Sequence, residues 1–195
     1  MSETIAVRAY TIPKGAKTAE SWPQKTPFLD RTITWDTETT IDYHQNLKFG
    51  YFEVHQNNIF EYGGLFYDSK IVKPKESQIL TQYSKDHFMK LYTIEEFREI
   101  FVSEVFDNEA LCVGFNLPFD LSRITRHVGV SRKQKKESFS FEISARPQYP
   151  RLQITHISNT LSFINWGKNN LQSKRFTGSF VDLRTLSHAL TDKKH

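Results

Sequence analysis

Two short apolar runs each end on acid, and this pattern constrains the chain more than any other. In Ile33-Thr34-Trp35-Asp36-Thr37-Glu38-Thr39, β-branched and aromatic residues lead directly into an Asp-x-Glu pair. The period-2 alternation of a strand sends both carboxylates to the same side. In Val113-Gly114-Phe115-Asn116-Leu117-Pro118-Phe119-Asp120, the apolar run from Leu111 to Phe115 is broken by Asn-Leu-Pro before an amphipathic stretch begins near Phe119. Asp120 is therefore expected in the first turn of a helix beside the end of a strand. Three carboxylates at the ends of two strands that can lie side by side make a candidate site for hard cations, which prefer oxygen ligands.

An acid-x-acid pair alone is weak, because a chain with 22 acidic residues in 195 holds roughly two or three by chance. Asp107-Asn108-Glu109 is such a decoy, set in a polar turn. Asp36 and Glu38 instead interrupt an apolar strand, where an uncompensated charge costs several kcal/mol of desolvation. Each acid also has a plain structural role open to it. Asp36 could cap a nearby helix, and an acid in a first helical turn, as at Asp120, gains from the helix dipole with no function at all. The conjunction of the three carries the functional reading.

The 195 residues suffice for one α/β domain, here residues 31–195, preceded by a polar arm, residues 1–30, broken by Pro13, Pro23 and Pro27. Aromatics at 14%, with 16 Phe and 8 Tyr, supply a core despite the polar average. Strands are expected over Thr32 to Thr37, Gly50 to Asn57 and Ile59 to Tyr67, with a turn at Gln56-Asn57-Asn58 and a bulge or bend at Gly63-Gly64. Thr93 and Glu96 spell a capping box that opens a helix carrying Phe97, Ile100, Phe101, Glu104 and Val105. A basic loop follows the Phe119 helix, and alternating stretches at Ser138 to Ile143, Leu152 to Ile157 and Thr160 to Ile164 read as an inserted hairpin or small meander. Phe180-Val181-Asp182-Leu183 is a last short strand, with Asp182 read as structural, and a helix starts at Arg184.

The net charge of +4 favours an anionic partner only weakly, and its placement says more: Arg123, Arg126, Arg132, Lys133, Lys135 and Lys136 crowd the segment after Asp120. A solvated face would look the same. The single Cys112 excludes an internal disulfide, sits in an apolar strand and reads as core packing. Together with the lack of a signal pattern or a long apolar run, it leads to an expected cytoplasmic location with no membrane partner. The seven histidines lack the spacing of a zinc site, and no Gly-rich phosphate loop occurs.

Trp35-Asp36-Thr37-Glu38-Thr39 resembles the first motif of the DEDD 3′→5′ exonucleases, and Asn116-Leu117-Pro118-Phe119-Asp120-Leu121 the second. The closest look is to the proofreading domains of family B DNA polymerases, and Phe180-Val181-Asp182-Leu183 is similar to the strand after their second motif. The resemblance implies an RNase H-like mixed sheet flanked by helices and a two-metal hydrolysis of phosphodiesters with Mg²⁺ or Mn²⁺. In it Asp36 would bridge both ions, Glu38 would hold the ion that activates water, and Asp120 would hold the second. By the same analogy the backbone at Thr37 and Thr39 would meet the 3′-terminal nucleotide of a single strand, DNA or RNA. Asn116 would support the phosphate or the strand end, unless it merely stabilises an Asx-type turn. Arg132, Lys133, Lys135 and Lys136 would track the strand.

The family's third motif, a Tyr or His followed by a fourth acid, does not appear at its usual place. His188-Ala189-Leu190-Thr191-Asp192 has the spacing but begins six residues after Asp182. The resemblance thus implies a chain truncated at its C-terminus, part of a larger nuclease or of a protein with a following polymerase module. The alternative is a catalytically incomplete nucleic-acid-binding module of the same fold.

Overall fold

In the computed structural model, residues 30–130, 138–158, 161–167 and 178–191 are described. The expected N-terminal arm, apart from Asp30, lies outside them. The chain is mixed α/β, with a mixed sheet flanked by helices. Strand β1 (Arg31–Thr39) buries Ile33, Trp35 and Thr37 and exposes Asp36 and Glu38, as alternation requires. It pairs antiparallel with β2 (Leu47–Gln56), which pairs antiparallel with β3 (Ile59–Tyr67). The β2–β3 turn is made by Asn57 and Asn58, both at positive φ (52° and 64°), the backbone a two-residue hairpin of this twist demands.

Helix α1 (Pro74–Asp86) and β4 (Lys90–Thr93) follow, and β4 adds in parallel to β3. Thr93 then caps α2 (Ile94–Val102): its Oγ1 accepts the Glu96 N–H, and the Glu96 carboxylate accepts the Thr93 N–H at 2.7 Å. One π-helical turn, Ser103–Asp107, extends α2 and carries Glu104 into the interior. There Arg31, Tyr62 and Asn108 all donate to its carboxylate. The chain re-enters the sheet as β5 (Leu111–Gly114), parallel to β1, and leaves it into α3 (Leu117–Ile124). Strand β10 (Ser179–Asp182) lies parallel to β5 on its far side and leads into α4 (Leu183–Thr191), giving the order β10-β5-β1-β2-β3-β4.

Between α3 and β10 in the chain, β6 (His127–Val130), β7 (Ser138–Glu142), β8 (Leu152–Ser158) and β9 (Leu161–Trp166) form a separate four-stranded antiparallel sheet. This is larger than the expected hairpin, because part of the expected basic loop is strand β6. The core sits between the first sheet and α2 and continues to α3 and one face of the second sheet. Phe97 stacks on Phe66 at 3.8 Å between centroids and meets Trp35 at 5.5 Å and Phe52 at 5.1 Å. Gly50 makes room for this, since a Cβ there would stand 2.3 Å from the Phe66 ring.

The bulge expected at Gly63-Gly64 is not there. Both glycines lie in regular register with β2, and the slip falls between Val54 and His55, which face Tyr62 and Phe60 and leave Glu61 as the extra residue. Among the described residues no helix is long and apolar enough to cross a membrane.

Candidate functional site

The two acid-terminated runs meet where the sequence placed them. β1 and β5 are parallel neighbours, Thr34 opposite Val113, so the end of β1 that carries Asp36 and Glu38 lies beside the turn into α3. Asn116 makes that turn in the left-handed region (φ 65°), and Pro118 in the first helical turn has no N–H to leave unpaired. Asp120 follows, 2% exposed, and its Oδ1 accepts the Thr37 hydroxyl at 2.5 Å. Burial pushes the Asp120 carboxyl up to about 7; the Thr37 hydrogen bond opposes this, and the nearby charge of Asp36 adds to it.

Asp36 and Asp120 are thus electrostatically coupled. Glu38 stands exposed on the same side of β1 as Asp36, whereas Thr37, which holds Asp120, points to the other side. Among the described residues no three His, Cys, Asp or Glu side chains form a group that could hold a metal ion. Carboxylate oxygens are the donors a hard divalent cation takes. Asp36 and Asp120 offer carboxylate oxygens, and a buried carboxyl raised by burial and by a like charge is one that a cation would relieve.

The strand after the second sheet locks this turn. Asp182 Oδ1 accepts the N–H groups of Asn116 (2.8 Å) and Leu117 (3.3 Å), satisfying donors at the start of α3, while its Oδ2 accepts the Thr185 hydroxyl at 2.8 Å. Asp182 is therefore structural, as its sequence context indicated. Arg184 was not foreseen: its Nη1 donates to the Asn116 side-chain oxygen at 3.0 Å. Asn116 thus serves the turn through its backbone and takes Arg184 through its side chain.

Arg123 ties α3 to the β1–β2 loop by donating to the carbonyls of His44 (3.0 Å) and Gln45 (2.6 Å), and it sits 4.7 Å over the Phe119 ring. Thr39 closes β1 opposite Leu47, just past a register slip. Arg132, Lys133, Lys135 and Lys136 lie outside the described residues, as does Asp192; His188 is in α4. Cys112 is buried in the core, accepts a hydrogen bond from Trp35 Nε1 at 3.3 Å, and has its thiol pushed up to about 12 by burial. The decoy pair stands at the other end of the sheet, where Asp107 accepts the Tyr149 hydroxyl at 2.6 Å. No family model, curated protein or solved structure matches this chain.

Proposed function

We propose that this chain is a metal-dependent 3′→5′ exonuclease domain of RNase H-like type, acting on single-stranded DNA or RNA ends, and belonging to a larger nuclease or DNA polymerase. The observation that carries the reading is the Asp36–Asp120 pair: a buried carboxyl raised to about 7 beside a second, exposed carboxylate at the adjacent ends of two parallel strands. Ligands of open α/β sheets gather at such strand ends, and pKa values displaced by burial and like charge mark functional sites. A three-stranded antiparallel unit, β1 to β3, that continues into the parallel strands β5 and β10 supports the RNase H-like assignment.

Mg²⁺ or Mn²⁺ bound there would supply Lewis-acid stabilisation of the phosphodiester oxygens and a more acidic water. Asp36 and Glu38 would approach the ion from the exposed side of β1 and Asp120 from α3. The Thr37 hydroxyl fixes the rotamer of Asp120, and burial lets the Asp120 carboxyl keep its proton close to neutral pH. By the resemblance, the backbone at Thr37 and Thr39 would meet a terminal nucleotide and Asn116 would support its phosphate or the strand end.

A second reading, a nucleic-acid-binding module without turnover, draws on the placement of Asp36 and Glu38 on the side of β1 opposite to Thr37, which holds Asp120. One assay decides between them. With Mn²⁺ and a 3′-labelled single strand, the exonuclease releases labelled mononucleotide, Asp36→Asn abolishes release, and a circular strand stays intact. Binding without release at any Mn²⁺ concentration would favour the module, and cutting of the circle would show an endonuclease.

A further inference from the structure

We propose that the second sheet forms one wall of a binding cleft for an unpaired nucleobase, with Phe139 and His156 as its stacking surface. One face of that sheet gathers Val128, Phe139, Phe141, Leu152, Ile154, His156 and Trp166, as the register of β6 to β9 dictates. Phe141, Leu152, Ile154 and Trp166 on this face are buried in the core. At its other end the face parts from α3 and leaves a cleft of about 450 Å³, within the range of small-ligand sites. Among the described residues Val128 and Phe139 remain 49% and 43% exposed there, an apolar surface of the kind that binding sites present.

The chemistry of the cleft favours a nucleotide. Phe139 and His156 meet edge to face, 5.7 Å between centroids, and Ser162 Oγ lies 2.7 Å from His156 Nδ1, which orients the imidazole. Phe119 of α3 also lines the cleft. One end is polar, with Asn116, Asp182 and Arg184, and the oxygens of Asp182 already accept from α3 and Thr185. Aromatic side chains and a guanidinium are the parts with which proteins hold single strands, rings for the bases and cations for the phosphates. Asp36 and Asp120 do not line the cleft, but Asn116 and Phe119, from the turn and helix that carry Asp120, do, so a strand whose end reached the carboxylates would pass close to it. The nature of the ligand rests on the nuclease reading; its capture needs no cleavage.

The test is fluorescence anisotropy of the full chain with a short labelled oligothymidylate in EDTA, repeated with an abasic oligomer of the same length. Wild type should prefer the thymidylate. Phe139→Ala should lose that preference and weaken thymidylate binding by roughly 5- to 150-fold, the range for one stacked base. Phe139→Trp should keep the preference, which guards against a folding defect in the alanine variant. Phe163→Ala, at an exposed ring on the opposite face of the sheet, should behave as wild type.

Equal affinity of wild type for both oligomers, or equal behaviour of the two alanine variants, would overturn the proposal. So would a dimer or an apolar-peptide complex that Phe139→Ala abolishes while thymidylate binding is unchanged. Mononucleotide release in Mn²⁺ without base preference would sink the cleft and keep the nuclease. Base preference without release would do the reverse.

Discussion

Asp120→Asn should make the protein more stable above neutral pH while impairing any metal-dependent activity. The native carboxyl keeps its proton up to about 7, against an ordinary value of 3.8. Between those values the folded state binds more protons than the unfolded chain, so stability falls as pH rises through the window and levels off above it. The gap corresponds to about 4 kcal/mol at most. Asparagine carries no charge and its Oδ1 can still accept the Thr37 hydroxyl, but its new N–H₂ needs a partner in a buried place, which costs about 1–2 kcal/mol. The expected net gain at pH 8 is about 2–3 kcal/mol, or roughly 2–4 °C in Tm for each kcal/mol in a chain of this size. Urea unfolding at a series of pH values from 4 to 8 reads it directly. The stability of wild type relative to Asp120→Asn should fall as pH rises across the window. Parallel profiles, or a variant less stable than wild type at pH 8, would refute the account of Asp120 as a carboxyl held neutral by burial and by Asp36.

Arg31→Ala should cost about 3–5 kcal/mol in urea unfolding, because it strands Glu104, which is 4% exposed, whereas Arg126→Ala, at an exposed pair with Glu95, should cost under about 1 kcal/mol. Burial alone would raise the Glu104 carboxyl, but hydrogen bonds from Arg31, Tyr62 and Asn108 bring it below its ordinary value, which is why the partner matters. Thr93→Ala should lower stability by about 1 kcal/mol through the lost cap of α2, and Thr93→Ser should restore most of it. Changing Arg132, Lys133, Lys135 and Lys136 together to Ala should flatten the salt dependence of oligonucleotide binding, by up to about 3 in log–log slope if all four meet phosphates; an unchanged slope would remove that segment from the interface.

Much of the first sheet was legible because its signals are local. Alternation in Ile33 to Glu38, paired asparagines at 57 and 58, the Thr93–Glu96 box and the Asn-Leu-Pro break before Asp120 each act within a few residues. Helix α1 was not foreseen: its sequence is polar and only weakly patterned, and it still leaves Ile79 and Tyr83 exposed. Strand β6 was read as loop because four residues with a central glycine acquire a strand's pattern only from β7 beside them. In the site, sequence located the carboxylates but not their orientation. Thr37 grips Asp120 across 83 residues, and Arg184 reaches Asn116 across 68, distances over which no local pattern speaks. A turn at Asn116 was legible in the Asn-Leu-Pro break, but its left-handed backbone was not, and its side chain makes no cap.

Manganese titration followed by electron paramagnetic resonance tests the metal-site reading most directly, with wild type compared against Asp36→Asn, Glu38→Gln and Asp120→Asn. The account predicts saturable binding to wild type at pH 8 that weakens tenfold or more in the Asp36 and Asp120 variants. Binding that none of the three substitutions changes, or no binding by wild type at all, would contradict it.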